Sequence, residues 1–491
     1  MVPERFAPVL AELAPLADRF EQRGHQLHLV GGTVRDLLLG DAPRDFDLDL
    51  TTDARPAEIK VCLDGWADSV WTQGERFGTI GAHRHTIDAD GGEVPRIYEI
   101  TTFRSEAYTD ASRKPHVTFA DHIDADLSRR DFTINAMALE LTSGTTPTLV
   151  DPFGGAGDLV SRTLRTPLGP EISFSDDPLR MLRAARFVAS HAMEPEPGLV
   201  AAVREMAQRL GIVSAERIRD ELDKLITADH PSAGLWFLVD TGLAEQFLPE
   251  LPAMRLEHDP IHRHKDVLTH TFAVIENVRP PHELPADHPP FDFRITRLAA
   301  LFHDIGKPRT RGYQPGKGTT FHHHDAVGAR MTRRRLQELR YSNSDVVAIT
   351  ELVALHLRFH TYRLGWSDAA VRRYVRDAGP LLNELNVLTR CDCTTRNERK
   401  ARTLSRRMDE LEQRIAELAA AEELAALRPE LDGRQVMEHL GVPPGRVVGD
   451  ALDALLEIRL EEGLVGDEEI RRRLDRWFRD QRAAGKYVER S

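Results

Sequence analysis

Cysteine is nearly absent: Cys62, Cys391 and Cys393 are the only three in 491 residues. So few thiols exclude a disulfide-stapled secreted scaffold and fit a reducing compartment. Cys391 and Cys393 have no second cysteine pair to complete a zinc site, and they read as buried thiols. No apolar run approaches the roughly 20 residues that span a bilayer. The first residues also lack a basic segment followed by an apolar one. The expectation is a cytoplasmic protein with no membrane partner. A positive balance is missing as well, since the formal charge of −13 is the reverse of a generic nucleic-acid binder. Distribution matters more than the sum, and Arg-rich segments at 331–340 and 396–407 stand apart from the acidic clusters. Each could track a phosphate backbone, although basic helix faces are usually just solvated. The chain has no internal repeat, and 41% hydrophobic with 29% charged residues suits globular domains. Its length calls for about two to four of them.

Residues 1–150 mix helices with short strands, at 26–30, 45–50, 79–83 and 97–103, bounded by Gly and Pro. From Asp176 onward helical spacing dominates, with Pro280–Pro290 as a loop and a charged, Leu- and Ala-containing run of helices after Arg396. This is an α/β head followed by a long α-helical remainder.

The densest chemistry lies in residues 29–52. A short apolar strand enters the Gly31-Gly32 turn, a short helix carries Arg35, and an acidic strand follows. Without Cβ atoms, Gly31 and Gly32 let backbone N–H groups approach an anionic ligand, and Arg35 could pair with a phosphate. Asp45, Asp47 and Asp49 alternate with Phe46 and Leu48, so strand geometry puts all three carboxylates on one face. Packed carboxylates repel unless a cation sits among them, and Mg²⁺ prefers hard oxygens plus substrate phosphates. Two carboxylates holding two ions would make a phosphoryl-transfer site.

This pattern resembles the nucleotidyltransferase superfamily, specifically the class II CCA-adding enzymes and their bacterial poly(A) polymerase relatives. Counting forward from Gly40 places the family's metal pair at Asp45 and Asp47. Counting back from the family-like segment Thr51–Pro56 places it at Asp47 and Asp49. The second is favoured, because a loop tolerates extra residues better than a strand. Glu99, on a strand expected beside the acidic one, is a candidate third carboxylate, with a solvent-facing strand residue as the alternative. Residues 105–124 read as a mobile polar loop.

Two further blocks carry the resemblance. Arg129-Arg130-Asp131-Phe-Thr-Ile-Asn135 is similar to a family element in which arginine and aspartate contact the nucleotide and asparagine orders the site. Alone, such a cluster would be a surface ion pair of little worth. Asp177-Pro-Leu-Arg180-Met-Leu-Arg183-Ala-Ala-Arg186 opens a helix. There Asp177 has the chemistry of a cap, and Arg180 and Arg183 lie about a turn apart. In the family the matching Asp-x-x-Arg pair reads the incoming base edge. A carboxylate accepts from the amino group of C or A, and Arg donates to ring acceptors, so the wrong base leaves buried partners unpaired. Arg183 and Arg186 would then suit the triphosphate. The charged amphipathic helix over 214–225 is assigned a structural role.

A second site is legible downstream. His303-Asp304, followed by Ile-Gly-Lys-Pro308, resembles the HD superfamily of metal-dependent phosphohydrolases. His270, His303, Asp304 and Asp392 stand where that family holds a divalent metal, and His324 and His356 would add a second. His258, His262, His264, His322, His323 and His360 read as structural.

The resemblance implies an α+β nucleotidyltransferase (polymerase β-like) head followed by an all-α neck, body, HD domain and tail. The expected bounds are 1–150 for the head, 151–255 for a helical neck and body with the nucleotide-selecting helix and an RNA-binding role, 256–400 for the HD metal-binding domain, and 401–491 for a helical tail. It implies a tRNA nucleotidyltransferase adding CMP and AMP from CTP and ATP to tRNA, with Mg²⁺ on the head. The rivals are a poly(A) polymerase or A-adding enzyme with the same head, and an HD phosphohydrolase whose head only senses nucleotide.

Overall fold

The computed structural model describes residues 3–40, 47–87, 92–107, 116–142, 147–256, 266–315, 318–361, 366–394, 398–422 and 428–487. The chain divides into two compact units, Met1–Pro249 and Glu250–Ser491. Asp45, together with His258, His262 and His264, lies outside the described residues.

The first unit is built on a seven-stranded mixed sheet. Its strands are β1 (Leu27–Val30), β2 (Asp47–Thr52), β3 (Ser69–Trp71), β4 (Thr79–Ile87) and β5 (Glu93–Thr102). After a separate hairpin of β6 (Arg104–Ala107) and β7 (His116–Phe119) come β8 (Ala138–Glu140) and β9 (Thr148–Val150). The spatial order is β3-β4-β5-β2-β1-β8-β9, with β2 and β5 parallel and the other neighbours antiparallel. β1 is an interior strand buried along its length, its three apolar residues joined by a buried His28. In β2 Leu48 and Leu50 are 1% exposed while Asp47 and Asp49 face outward, so the period-two alternation survives folding. The strand expected at 45–50 is described from Asp47 and runs on to Thr52.

Residues expected to form a mobile loop, 105–124, instead include paired strand. Arg104 opposes Phe119 and Ser105 opposes Thr118, and a helix starts at Ile123. Val117, Thr118 and Phe119 are strand formers whose pairing partner lies more than ten residues back, a signal that local polarity concealed.

Against the sheet, the Ala7–Glu21 helix buries Val9, Leu13, Leu16, Ala17 and Phe20 at helical spacing. Each such side chain contributes roughly 1.5–3 kcal/mol when fully buried. The rest of the unit is helical. The Leu179–His191 helix packs on both Ala215–Ile226 and Pro231–Asp240. The second contact is close enough that a Cβ at Gly234 would sit 2.4 Å from the Ala185 carbonyl oxygen.

In the second unit the Phe293–Phe302 helix is the axis, with every residue from Ile295 to Phe302 buried. Val267–Asn277, Asn343–Leu355 and Leu382–Cys391 pack around it, and His324–Glu338 packs on Asn343–Leu355. Farther along, Gly433–Leu440, Arg446–Glu462 and Asp467–Ala483 share a core of Leu431, Val436, Val448, Ala451, Leu455, Ile470 and Leu474. The helical remainder is not free of strand. Thr163–Leu164 pairs with Glu194–Pro195, and Arg311–Gln314 forms a hairpin with Gly318–Phe321.

Candidate active site and metal centre

Parallel register between β2 and β5 sets Asp49 opposite Glu99 and Asp47 opposite Ile97. Residues opposite each other share a face, so Asp47, Asp49 and Glu99 form an acidic triad on one side of the sheet. Burial, then Asp49, then Asp47 raise the Glu99 carboxyl above its ordinary range. Three crowded carboxylates, one of them resisting ionisation, are a donor set that fits divalent cations. The Gly31-Gly32 turn closes over the triad. Gly31 has φ +77°, and a Cβ there would lie 3.2 Å from Asp49 Oδ2 and 3.4 Å from Arg130 Nη1. Glycine at this position gives both the left-handed backbone and the clearance.

Behind the triad runs a buried polar relay. Arg35, 9% exposed on the Gly32–Leu39 helix, donates from Nη1 to Asn135 Oδ1 at 2.7 Å. Asn135 Nδ2 donates to Asp131 Oδ1 at 2.9 Å, and Asp131 Oδ2 accepts from Arg183 Nε and Nη2 at 2.8 and 2.6 Å. Arg183 continues to Glu221 at 3.3 Å, and Glu221 also takes Arg186 Nε at 2.8 Å. Burial opposes ionisation of Asp131, but Arg183 and Asn135 outweigh it and hold its carboxyl well below the usual range. Arg183 and Arg186, expected at the triphosphate, are thus engaged with Asp131 and Glu221 and do not line the cavity described next. Arg129 and Arg130 are organised by Asp126, a carboxylate with no exposed surface that accepts from Arg129 at 2.6 Å and Arg130 at 3.3 Å.

A cavity of about 620 Å³ opens on this face, its wall formed by Glu99, Arg129, Asp177 and Arg180 together with Trp71 and Phe77. Asp177 caps in part, accepting from the Leu179 N–H at 3.1 Å, and it also receives Arg217 on both oxygens. Arg180 is held by Ser173 Oγ at 2.9 Å and by the Arg129 carbonyl. Asp177 and Arg180 therefore reach the same space as Glu99, a juxtaposition of residues 78 positions apart (177 − 99) that only the fold creates. Asp47 and Asp49 stand on the strand next to Glu99.

In the second unit His270, His303, Asp304, His324, His356 and Asp392 converge. Asp304 Oδ2 lies 3.2 Å from His303 Nε2 and 3.6 Å from His270 Nε2, and its Oδ1 lies 3.3 Å from His324 Nε2. His356 Nε2 is 3.2 Å from His324 Nε2, and Asp392 Oδ1 is 2.9 Å from His270 Nε2. All four imidazoles turn Nε2 inward and bond through Nδ1 on the other side. The partners are Thr394 Oγ1 at 2.7 Å, the Ala300 carbonyl at 2.8 Å, and the Phe321 and Val353 carbonyls at 2.7 Å. Such outward anchoring is how metal-ligating histidines are oriented. Two triplets with ligand atoms within 4.8 Å, His270/His303/Asp304 and Asp304/His324/His356, share Asp304, a donor set of imidazoles and carboxylate that would suit divalent transition metals. Burial pushes the His356 imidazole down to about 4, keeping it a neutral donor.

Four of these contributors escaped the sequence reading. Glu221 had a signal, because it sits at i+3 from Ile218 on the apolar stripe completed by Leu222 and Leu225. Asp126 and Lys307 also had one, since Asp126 stands three and four residues before Arg129 and Arg130, and Lys307, which reaches Asp304 Oδ2 at 2.6 Å, three after it; Arg217, forty residues from Asp177, had none. Cys391 is buried, its thiol pushed up to about 12, whereas Cys393 is only half-buried.

The chain matches three domain families: the poly A polymerase head domain over residues 27–165, the probable RNA and SrmB-binding site of polymerase A over 192–254, and the HD domain over 267–397. It is 34% identical over 456 residues to an A-adding tRNA nucleotidyltransferase of Deinococcus radiodurans, covering 91% of this chain and 95% of that protein. It is 37% identical over 246 residues to a CCA-adding enzyme of Lactobacillus gasseri, spanning 50% of this chain and 56% of that one. In structure it is similar to the Bacillus stearothermophilus CCA-adding enzyme in complex with CTP, with TM-score 0.66, 23% identity, and 98% and 100% of the two chains covered. It is also similar to the Thermotoga maritima CCA-adding enzyme complexed with tRNA, with TM-score 0.60, 19% identity, and 97% of each chain covered.

Proposed function

We propose that this chain, which belongs to the tRNA nucleotidyltransferase and poly(A) polymerase family and is a nucleotidyltransferase, adds CMP and AMP from CTP and ATP to the 3′ end of tRNA. One observation carries the reading: Glu99 of the acidic triad and the Asp177/Arg180 pair open into the same cavity. Asp47 and Asp49 are the residues to hold Mg²⁺. An ion held there would supply charge neutralisation for the triphosphate and Lewis acidity toward the 3′-hydroxyl. The side chains do the positioning. The Gly31-Gly32 turn offers backbone N–H groups to the phosphates. Arg129 and Arg130, held by Asp126, place positive charge beside the acidic triad. Asp177 and Arg180 accept from and donate to the edge of the base. Because the same face must serve every acceptor, the RNA would be held by shape and backbone along the helical segments after the head.

The test uses tRNA lacking its last three nucleotides, purified protein, Mg²⁺ and each nucleoside triphosphate singly. Addition of CMP is the expected result, and its absence would sink the reading. A narrower one, addition of AMP alone to tRNA already ending in CC, is favoured by similarity along nearly the whole chain to the Deinococcus A-adding enzyme. Protein that ignores CTP yet extends the CC-ended substrate with ATP would be of that kind. For the HD centre the converging imidazoles and Asp304 would hold metal suited to hydrolysis of phosphoesters. Release of phosphate from a terminally phosphorylated RNA, lost in D304N, is the corresponding assay.

A further inference from the structure

We propose that Asp68, His83 and His85 form a transition-metal site on the head sheet, separate from the acidic triad and from the HD centre. His83 and His85 are two apart on β4, so both imidazoles leave by one face. Arg84 between them leaves by the other and lies over the Trp66 ring, 4.7 Å from its centroid. Asp68 precedes the short edge strand β3, and its backbone N–H donates to the His83 carbonyl at 2.9 Å. That hydrogen bond brings its carboxylate under His85. Oδ2 accepts from the His85 N–H at 2.7 Å and stands 3.0 Å from His85 Nδ1. The two imidazoles meet edge-on, with centroids 4.7 Å apart. One ligand atom from each of the three residues lies within 4.8 Å of the others. Two ligands each about 2.1 Å from one ion stand roughly 3.0–3.4 Å apart, so the Nδ1–Oδ2 spacing is already that of a shared ion.

The residues directly opposite His83 and His85 on β5, Ile97 and Pro95, carry no charge. Two imidazoles and one carboxylate suit zinc, nickel or copper(II) far better than Mg²⁺. Half of the His85 side chain is exposed, which leaves room for water to complete the coordination. The register Asp47–Ile97–His83 puts this site on the same face as the triad, two strands away, or about 10 Å at the usual strand spacing.

The test is Zn²⁺ content of the untagged full-length protein after dialysis against micromolar Zn²⁺ in millimolar Mg²⁺, which occupies hard-oxygen sites. Wild type is expected to hold one more equivalent than H83Q/H85Q, and D304N, altered in the HD centre, is expected to keep that equivalent. D68N should weaken this component of binding about ten-fold or more. Equal Zn²⁺ content in wild type and folded H83Q/H85Q overturns the proposal. Should the double variant fail to fold, D68N decides, and an unchanged Zn²⁺ affinity in it overturns the proposal.

Discussion

Asp49 touches the glycine turn on one side and faces Glu99 across the parallel register on the other. Replacing it with Asn keeps the shape and deletes one charge of the triad. We expect D49N to lower nucleotide addition by about 10²–10³-fold or more, the scale on which lost electrostatic stabilisation acts. Its unfolding midpoint should hold or rise, because repulsion with Glu99 is relieved. Primer-extension rates and a thermal melt read the two effects, and a D49N protein at wild-type rate would exclude Asp49 from the chemistry. His28 makes a different prediction. It is 2% exposed, its Nδ1 lacks a hydrogen-bond partner, and burial pushes its imidazole down to about 4 despite Asp53 and Asp126. The unfolded chain takes up that proton near pH 6.5. Between pH 6.5 and 4 the unfolded state therefore binds more protons, so stability is intact above 6.5 and declines as pH falls through that window. The loss attributable to His28 is about 3 kcal/mol by pH 4. Urea midpoints measured against pH should show a shallower acid limb in H28L. A limb as steep as wild type would assign the loss elsewhere.

At the scale of elements, the helix Leu179–His191 owes its position to charges it does not contain. Glu221, 5% exposed on the neighbouring helix, receives Arg183 and Arg186 and so fixes the helix that presents Arg180 to the cavity. Deleting one partner of a buried ion pair leaves uncompensated charge, so E221A should cost about 3–5 kcal/mol in urea unfolding. E221Q, which keeps hydrogen-bonding capacity, should fold better than E221A yet discriminate less sharply between correct and incorrect nucleotides. Equal stability of wild type and E221A would mean that the arginines find other partners.

This element also shows what a linear reading can see. The helix over 215–226 and its apolar stripe are legible from periodicity, as is the alternating strand of Asp47 and Asp49, whereas the HD pair with its distant histidines is legible only through resemblance to a family. The β6–β7 hairpin is not legible, because its segment is locally polar and its pairing is non-local. The ion pairs of Arg183 with Asp131 and of Arg186 with Glu221 are not legible, because nothing in the arginines' own segment announces either carboxylate.

At the scale of the whole molecule, the two centres sit in separate compact units, each with its own core. Among the described residues no helix is long and apolar enough to cross a membrane. Lesions in one centre should therefore spare the other. D304N is expected to abolish tight transition-metal binding at the HD centre while leaving primer extension within about two-fold, and D49N to leave HD metal content unchanged. Metal analysis and extension assays on the same preparations check this, and loss of both functions from either substitution would refute independence.

The residue types, their spacing along single elements and the order of the blocks were set by sequence alone, because helix and strand periods place side chains on faces without reference to anything distant. That Asp49 stands opposite Glu99, which carboxylate restrains which arginine, and that Asp177 shares a cavity with Glu99 were decided by tertiary structure. Those relations arise from strand register and helix crossing, where groups remote in the chain come within 3–4 Å and exchange solvent for one another.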